Sequence, residues 1–98
     1  MDITAEDLKR RIDAGEALLI LDVREDWEFE EGHINGARNF SLYSIPSQGA
    51  DLEDWKEKEV IVHCKSGARS KKAQYLLVEL GFTNTLSLLG GYEAYKAL

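Results

Sequence analysis

The sequence contains one cysteine and one proline among its 98 residues. A single cysteine cannot form a disulfide within the chain, which excludes a secreted scaffold built on disulfides. The longest apolar run, residues 17–21, is far shorter than the roughly 20 residues that a membrane-spanning helix needs. The first residues include neither the basic nor the apolar stretch of a signal peptide. We therefore expect a cytoplasmic protein with no membrane partner.

Basic residues are outnumbered by acidic ones, 12 against 18, which gives a formal charge of −6 at pH 7. An acidic chain repels phosphate backbones and anionic lipid headgroups, so the charge argues against nonspecific binding to nucleic acids or anionic membranes. No internal repeat, linker or low-complexity segment is visible. The length suits one hydrophobic core, and we expect a single domain over residues 1–98.

Helix and strand patterns alternate along the chain. Apolar spacing after the predicted cap Thr4 indicates a first helix, and Pro46 and Gly49 predict irregular structure in the middle of the sequence. Alternating elements of this kind predict an α/β fold with a mainly parallel sheet and helices on both faces. The predicted strands cover residues 18–23, 37–42, 59–63 and 85–89, and further helices are predicted over residues 25–31, 51–58, from 70 and over 92–98.

The segment around Cys64 is the part of the sequence with the most specific chemistry. Cys64 follows a predicted strand, and a predicted helix begins near Ser70. Catalytic sites in open α/β sheets lie at the carboxyl ends of strands, and the free N–H groups at a helix N-terminus favour an anion. Gly67 allows the loop to turn its amides inward. The segment therefore predicts a site for a cysteine thiolate.

The charges near this cysteine are unevenly distributed. Residues 64–72 contain four basic residues and no acidic one, so the rest of the chain carries −10. The alternative interpretation is a buried free cysteine that packs as a small apolar residue beside an exposed helix start. The glycine, the strand-to-helix transition and the local charge together favour the functional interpretation. The four cations are Lys65, Arg69, Lys71 and Lys72.

Two chemistries use a cysteine in such a loop: phosphoryl transfer and sulfane-sulfur transfer. Arg69 lies five residues after Cys64, which is a Cys-x4-Arg pattern, whereas cysteine-dependent phosphatases have a loop one residue longer. A tighter loop favours a single sulfur atom over a phosphate group. A phosphatase or arsenate reductase is therefore the less favoured hypothesis.

These motifs resemble the single-domain rhodanese family of sulfurtransferases, and the resemblance spans nearly the whole chain. Asn35 stands where the family commonly has proline, and Tyr95 where it commonly has tryptophan. The motifs that carry the resemblance are Asp22-Val23-Arg24-Glu25, Glu28-Phe29, Gly32-His33-Ile34-x-Gly36-Ala37-x-Asn39, Cys64-x-x-Gly67-x-Arg69-Ser70, Gly81-Phe82 and Leu89-Gly90-Gly91.

The resemblance implies a five-stranded, mainly parallel sheet flanked by helices on both faces. It also implies an activity without a cofactor. The Cys64 thiolate would take a sulfane sulfur from thiosulfate or a similar donor, and the resulting persulfide would pass it to cyanide or a thiol. An alternative is a persulfide carrier that exchanges sulfur with a protein of a sulfur-relay pathway. The residues themselves do not separate these two hypotheses.

The resemblance also implies roles for individual residues. Arg69 either binds the donor's oxygens or forms a structural ion pair with Asp22 or Glu28, and the second role is favoured because a planar guanidinium can hold a carboxylate by two bonds. Asp22, Arg24 and Glu28 are predicted to support the loop, with Asp22 either fixing it or pairing with Arg24. His33 and His63 are predicted to be structural, since no metal-binding spacing is present. The backbone amides predicted to surround the transferred sulfur belong to Lys65, Ser66, Gly67, Ala68, Arg69 and Ser70.

Overall fold

A computed structural model describes residues 1–98 and contains one five-stranded sheet. The order of the strands across the sheet is β1-β5-β4-β2-β3, and every neighbouring pair is parallel. Parallel neighbours place the carboxyl ends of the strands at the same edge of the sheet. The strands are β1 (Asp2–Ile3), β2 (Ile20–Asp22), β3 (Arg38–Asn39), β4 (Glu59–His63) and β5 (Asn84–Leu88).

Helices connect the strands and cover both faces of the sheet. The longest is α4, which has 12 residues, and no helix is long and apolar enough to cross a lipid bilayer. The α-helices are α1 (Ala5–Asp13), α2 (Asp26–Glu31), α3 (Ile45–Gln48), α4 (Ala68–Glu79) and α5 (Gly91–Lys96), and two 3-10 helices cover Leu42–Ser44 and Gly49–Trp55.

The core consists of two apolar clusters, one on each face of the sheet. Val60 and Val62 of β4 belong to one cluster, and Ile61 between them belongs to the other. Successive side chains of a strand point to opposite faces, so a strand covered on both sides needs an apolar residue at nearly every position. This explains the continuous apolar runs that predict the central strands.

The fold class predicted from the sequence is confirmed, and the structure corrects several details. The sheet is entirely parallel, and its first strand, Asp2–Ile3, was not predicted because two residues are too few to form a pattern. The prediction of irregular structure around Pro46 was wrong, since residues 45–48 form α3. Proline occupies the first turn of that helix, where its missing N–H is not needed.

Candidate active site

Cys64 lies between the end of β4 and the beginning of α4, in the loop that the sequence indicates. Its side chain is buried, with 1% of the residue exposed. The Sγ atom accepts hydrogen bonds from the backbone N–H groups of Gly67 at 3.1 Å and of Ser70 at 3.3 Å. The sulfur therefore lies in an amide cradle at the N-terminal end of a long helix, where negative charge is stabilised.

Two of the six loop residues predicted to surround the sulfur donate to Sγ, namely Gly67 and Ser70. Gly67 has a φ of +120°, a conformation that favours glycine and turns its amide towards the sulfur. The hydroxyl of Ser70 bonds the carbonyl of Gly67 at 2.9 Å and the hydroxyl of Ser87 on β5 at 2.8 Å. The loop is thus attached to the neighbouring strand. Lys65, Ser66 and Ala68 are exposed.

Arg69 forms a two-bond ion pair with Glu28 of α2. Nη1 lies 2.6 Å from Oε1, and Nη2 lies 2.9 Å from Oε2. The hydrogen bond from Arg69 is the main cause that lowers the pKa of Glu28 to about 2, and the same bond raises the pKa of Arg69. Of the two carboxylates considered from the sequence, Glu28 rather than Asp22 is the partner. The guanidinium is therefore held by the protein itself.

Asp22 and Arg24 form a second ion pair, which is buried beneath the site. The Arg24 guanidinium donates to both carboxylate oxygens of Asp22, the shortest contact being 2.7 Å, and to the carbonyl of Gly32 at 2.8 Å. It also lies over the ring of Tyr92, 4.5 Å from its centroid. Burial acts to lower the pKa of Arg24, but the hydrogen bonds and charge of Asp22 outweigh burial and raise it. The pair therefore joins β2 to the start of α5.

His63 is fully buried beside this ion pair. Its Nε2 lies 3.6 Å from the Oδ2 of Asp22 and has no hydrogen-bond partner. Its Nδ1 lies 3.4 Å from the carbonyl oxygen of Cys64. Burial is the largest cause that lowers the pKa of His63, and the charge of Asp22 opposes it. A neutral imidazole therefore lies directly behind the cysteine loop.

The beginning of α5 holds the backbone of the cysteine loop. The N–H of Tyr92 donates to the carbonyl of Cys64 at 2.8 Å, and the N–H of Glu93 donates to that of Lys65 at 3.0 Å. This close approach depends on Gly91, because a Cβ there would lie 2.5 Å from the Lys65 oxygen. The only local signal of this contact in the sequence is the Gly90-Gly91 pair, which is typical of a turn.

The tertiary structure largely neutralises the positive charge that the sequence concentrates near Cys64. Arg69 pairs with Glu28, Lys71 pairs with Asp2, and Lys65 lies 3.7 Å from Glu93. Among the four cations of residues 64–72, only Lys72 has no acidic partner. The excess charge that is evident along the sequence is therefore much smaller at the surface.

A pocket of about 310 Å³ opens beside the cysteine loop, between α2 and α5. Lys65, the residue after Cys64, contributes to its wall. The aromatic rings of Trp27 and Tyr92 supply its apolar surface, and charged side chains from both helices complete it. Trp27 is largely exposed, whereas Tyr92 also packs against one of the two apolar clusters of the core.

Comparisons with known proteins agree with this architecture. A sequence model described as "Rhodanese-like domain" matches residues 4–98. The thiosulfate sulfurtransferase GlpE of Coxiella burnetii is 40% identical over 80 residues, which cover 82% of this chain and 73% of that protein. A protein of Bacillus subtilis named "Putative sulfur carrier protein YrkF" is 32% identical over 90 residues, which cover 92% of this chain and 48% of that protein.

Solved structures show the same fold. The crystal structure of a rhodanese-related protein from Thermoplasma volcanium superposes with a TM-score of 0.84 at 31% identity, covering 98% of this chain and 90% of the other. The agreement thus covers both the sequence and the fold over nearly the whole chain. The chain belongs to the rhodanese-like domain family.

Proposed function

We propose that this protein is a sulfurtransferase that moves a sulfane sulfur from thiosulfate, or a similar donor, to a thiol or cyanide through a persulfide on Cys64. The observation that carries the proposal is the position of Sγ, which accepts N–H groups from Gly67 and Ser70 at the N-terminal end of α4. A persulfide adds one sulfur atom and keeps the negative charge. Backbone N–H groups near that charge stabilise it without any metal or cofactor.

The proposed cycle has two displacement steps. In the first, the Cys64 thiolate attacks the outer sulfur of thiosulfate, an S–S bond forms, and sulfite leaves with the electron pair of the broken bond. In the second, an acceptor thiolate or cyanide attacks the outer sulfur of the persulfide, and the electron pair returns to Sγ. Each step exchanges one bond for another and conserves charge. The chain has no second cysteine, so the acceptor comes from outside it.

The state of Arg69 supports sulfur transfer over phosphoryl transfer. A phosphatase needs its loop arginine to hold phosphate oxygens by two hydrogen bonds. Here both outer nitrogens of Arg69 already bond Glu28, at 2.6 and 2.9 Å. The Cys-x4-Arg spacing also gives a shorter loop than phosphatases have. We therefore assign Arg69 and Glu28 a role in holding the loop, and we assign Asp22 and Arg24 a similar role beneath it.

A carrier that exchanges its sulfur with a relay protein is the second candidate. It is favoured by the similarity to the Bacillus subtilis protein whose name describes a sulfur carrier. A carrier needs the same cysteine and the same cradle. The two candidates differ in how the rate depends on thiosulfate: a rate that saturates only far above cellular thiosulfate concentrations supports the carrier, and saturation at low concentration supports the enzyme.

Intact-mass measurement tests the proposal directly. We expect the reduced protein to gain the mass of one sulfur atom after brief incubation with thiosulfate, and to lose it again when cyanide is added. The matched control is Cys64→Ala, which we expect to gain nothing. If the mass stays constant while Cys64 is shown to be a free thiol, the thiosulfate proposal is wrong, and a persulfidated protein is the next donor to test.

A further inference from the structure

The pocket beside the cysteine loop, which Lys65 helps to line, is much larger than thiosulfate requires. Its volume of about 310 Å³ lies at the lower end of the range for small-molecule sites, whereas thiosulfate is an anion of only a few atoms. Opposing faces of two helices form its walls. Trp27 and Glu31 project from α2, and Tyr92 and Lys96 project from α5. The extra space adjoins the loop at Lys65 and is suited to a larger reactant.

Most charges that line this pocket already have a partner in the protein. Arg24 pairs with Asp22, Glu28 pairs with Arg69, and Lys65 lies 3.7 Å from Glu93. Two charges differ from the rest. Glu31 has no ion pair, and Lys96 has none either, since its ammonium contacts only the ring of Tyr92, 5.5 Å from the centroid. One free carboxylate and one free ammonium thus stand on opposite walls.

We propose that this pocket binds the sulfur acceptor and that this acceptor is an amino-acid or short-peptide thiol. Its ammonium pairs with Glu31, and its carboxylate pairs with Lys96. The inference rests on the sulfurtransferase function proposed above and names the class of its acceptor. A ligand that carries both an ammonium and a carboxylate can pair with Glu31 and with Lys96, whereas a thiol with a single charge can pair with only one of them. Trp27 and Tyr92 supply apolar surface for the carbon chain between the charged groups and the sulfur.

The step itself is the second displacement of the cycle. The acceptor thiol loses its proton to solvent, and its thiolate attacks the outer sulfur of the Cys64 persulfide. The S–S bond to Sγ breaks, and the electron pair restores the Cys64 thiolate. The product is the acceptor's persulfide. Glu31 and Lys96 bind and orient the acceptor and take no part in bond exchange.

Four small thiols that differ in their charged groups test the two proposed charge contacts separately. Protein loaded with thiosulfate and freed of excess donor is mixed with L-cysteine, 3-mercaptopropionate, cysteamine or 2-mercaptoethanol, and loss of the persulfide is followed by mass. Each rate constant in a variant is divided by that of the unmodified protein for the same thiol, so differences in thiol reactivity cancel. The variants are Lys96→Gln and Glu31→Gln. The controls are Lys58→Gln and Glu79→Gln, exposed residues that have no ion pair and lie outside the pocket.

We expect Lys96→Gln to slow the two thiols that carry a carboxylate, L-cysteine and 3-mercaptopropionate, relative to the other two. Glu31→Gln should slow the two that carry an ammonium, L-cysteine and cysteamine. The expected change is roughly three- to fivefold for each contact, the size of a partly exposed ion pair. Equal changes for all four thiols, or the same pattern in the control variants, would overturn the inference.

A binding measurement distinguishes failure of this inference from failure of the proposed function. If thiosulfate leaves no sulfur on Cys64, the proposed function fails, and the pocket is then tested with S-methyl-L-cysteine, which cannot react. We expect its titration to shift the NMR signals of Trp27 and Tyr92, and to do so less in both variants. Two results would contradict this inference without contradicting the proposed function. One is a persulfide that forms and is discharged with no preference for either acceptor charge, and the other is a titration that leaves the signals of both rings unshifted.

Discussion

Arg69 and Glu28 are 41 residues apart in the sequence, yet they share two hydrogen bonds of 2.6 and 2.9 Å at the cysteine loop. The pair joins the first turn of α4 to α2. Two parallel bonds fix the orientation of both planar groups. This contact allows the structural role of the arginine to be separated experimentally from a role in binding the donor.

A double-mutant cycle measures this contact. We expect Arg69→Gln, Glu28→Gln and the double variant to show a coupling of about 1–3 kcal/mol in the free energy of unfolding, because the two groups interact directly. Arg69→Lys keeps the charge but loses the second bond, and we expect it to recover only part of the coupling. Urea unfolding supplies the values. A higher KM for thiosulfate in Arg69→Gln, with no coupling to Glu28, indicates instead that the arginine binds substrate.

Acid should weaken the same pair within a defined pH range. The pKa of Glu28 is lowered from 4.5 to about 2, chiefly by the hydrogen bond from Arg69. A carboxylate whose pKa is lower in the folded state contributes stability that is complete above 4.5 and is lost as the pH falls towards 2. The lowered pKa corresponds to about 3 kcal/mol. We expect Glu28→Gln to show a correspondingly smaller loss of stability over that range in urea unfolding at each pH.

His63 should contribute a separate pH dependence at a higher range. Burial lowers its pKa below 6.5, so the unfolded chain takes up a proton that the folded protein resists. The free energy of unfolding should therefore decrease as the pH falls below 6.5. We expect His63→Leu to lack this decrease, while His33→Gln, a variant of an exposed histidine, retains it. An unchanged pH profile in His63→Leu would show that the buried ring does not resist protonation.

Because α5 lies so close to the cysteine loop, we expect Gly91 to be unusually sensitive to substitution. In Gly91→Ala the new Cβ would lie 2.5 Å from the oxygen of Lys65 and 2.6 Å from that of Cys64. The matched control is Gly15→Ala, which also has a positive φ but no atom within 4 Å of the new Cβ. We expect losses of about 3 kcal/mol for the first and about 1 kcal/mol for the second, measured by urea unfolding. Equal losses would mean that the loop moves freely away from α5.

Cys64→Ala tests whether chemistry and folding are separable. The variant removes the only thiol and should abolish sulfur transfer, because no other group in the cradle can form a persulfide. The removed sulfur is small, so we expect a loss of stability of about 1–2 kcal/mol and an unchanged circular dichroism spectrum. Retained transfer to cyanide in this variant contradicts the proposed mechanism.

Much of the site was predictable because its signals are local in the chain. Cys64, Gly67 and the helix start after them lie within a few residues, and loop geometry over so short a distance depends on the residues themselves. The β4 strand was predicted within its observed bounds, Glu59–His63, because burial on both faces demands a continuous apolar run. The alternation of helices and strands was sufficient to predict a parallel α/β sheet.

The partners of the charged residues could not be predicted, since charges that pair across the fold leave no periodic pattern in the sequence. The sequence allowed Asp22 or Glu28 as the partner of Arg69, and only the packing of α2 against the loop selected Glu28. The contact of α5 with the Cys64 carbonyl depends likewise on the register between distant elements. The sequence thus determined the cysteine proposed as nucleophile, the loop whose amides surround it and the class of fold. The tertiary structure decided which ion pairs hold the loop and which charged side chains have no partner, because ion pairing depends on distances between segments that are far apart in the chain.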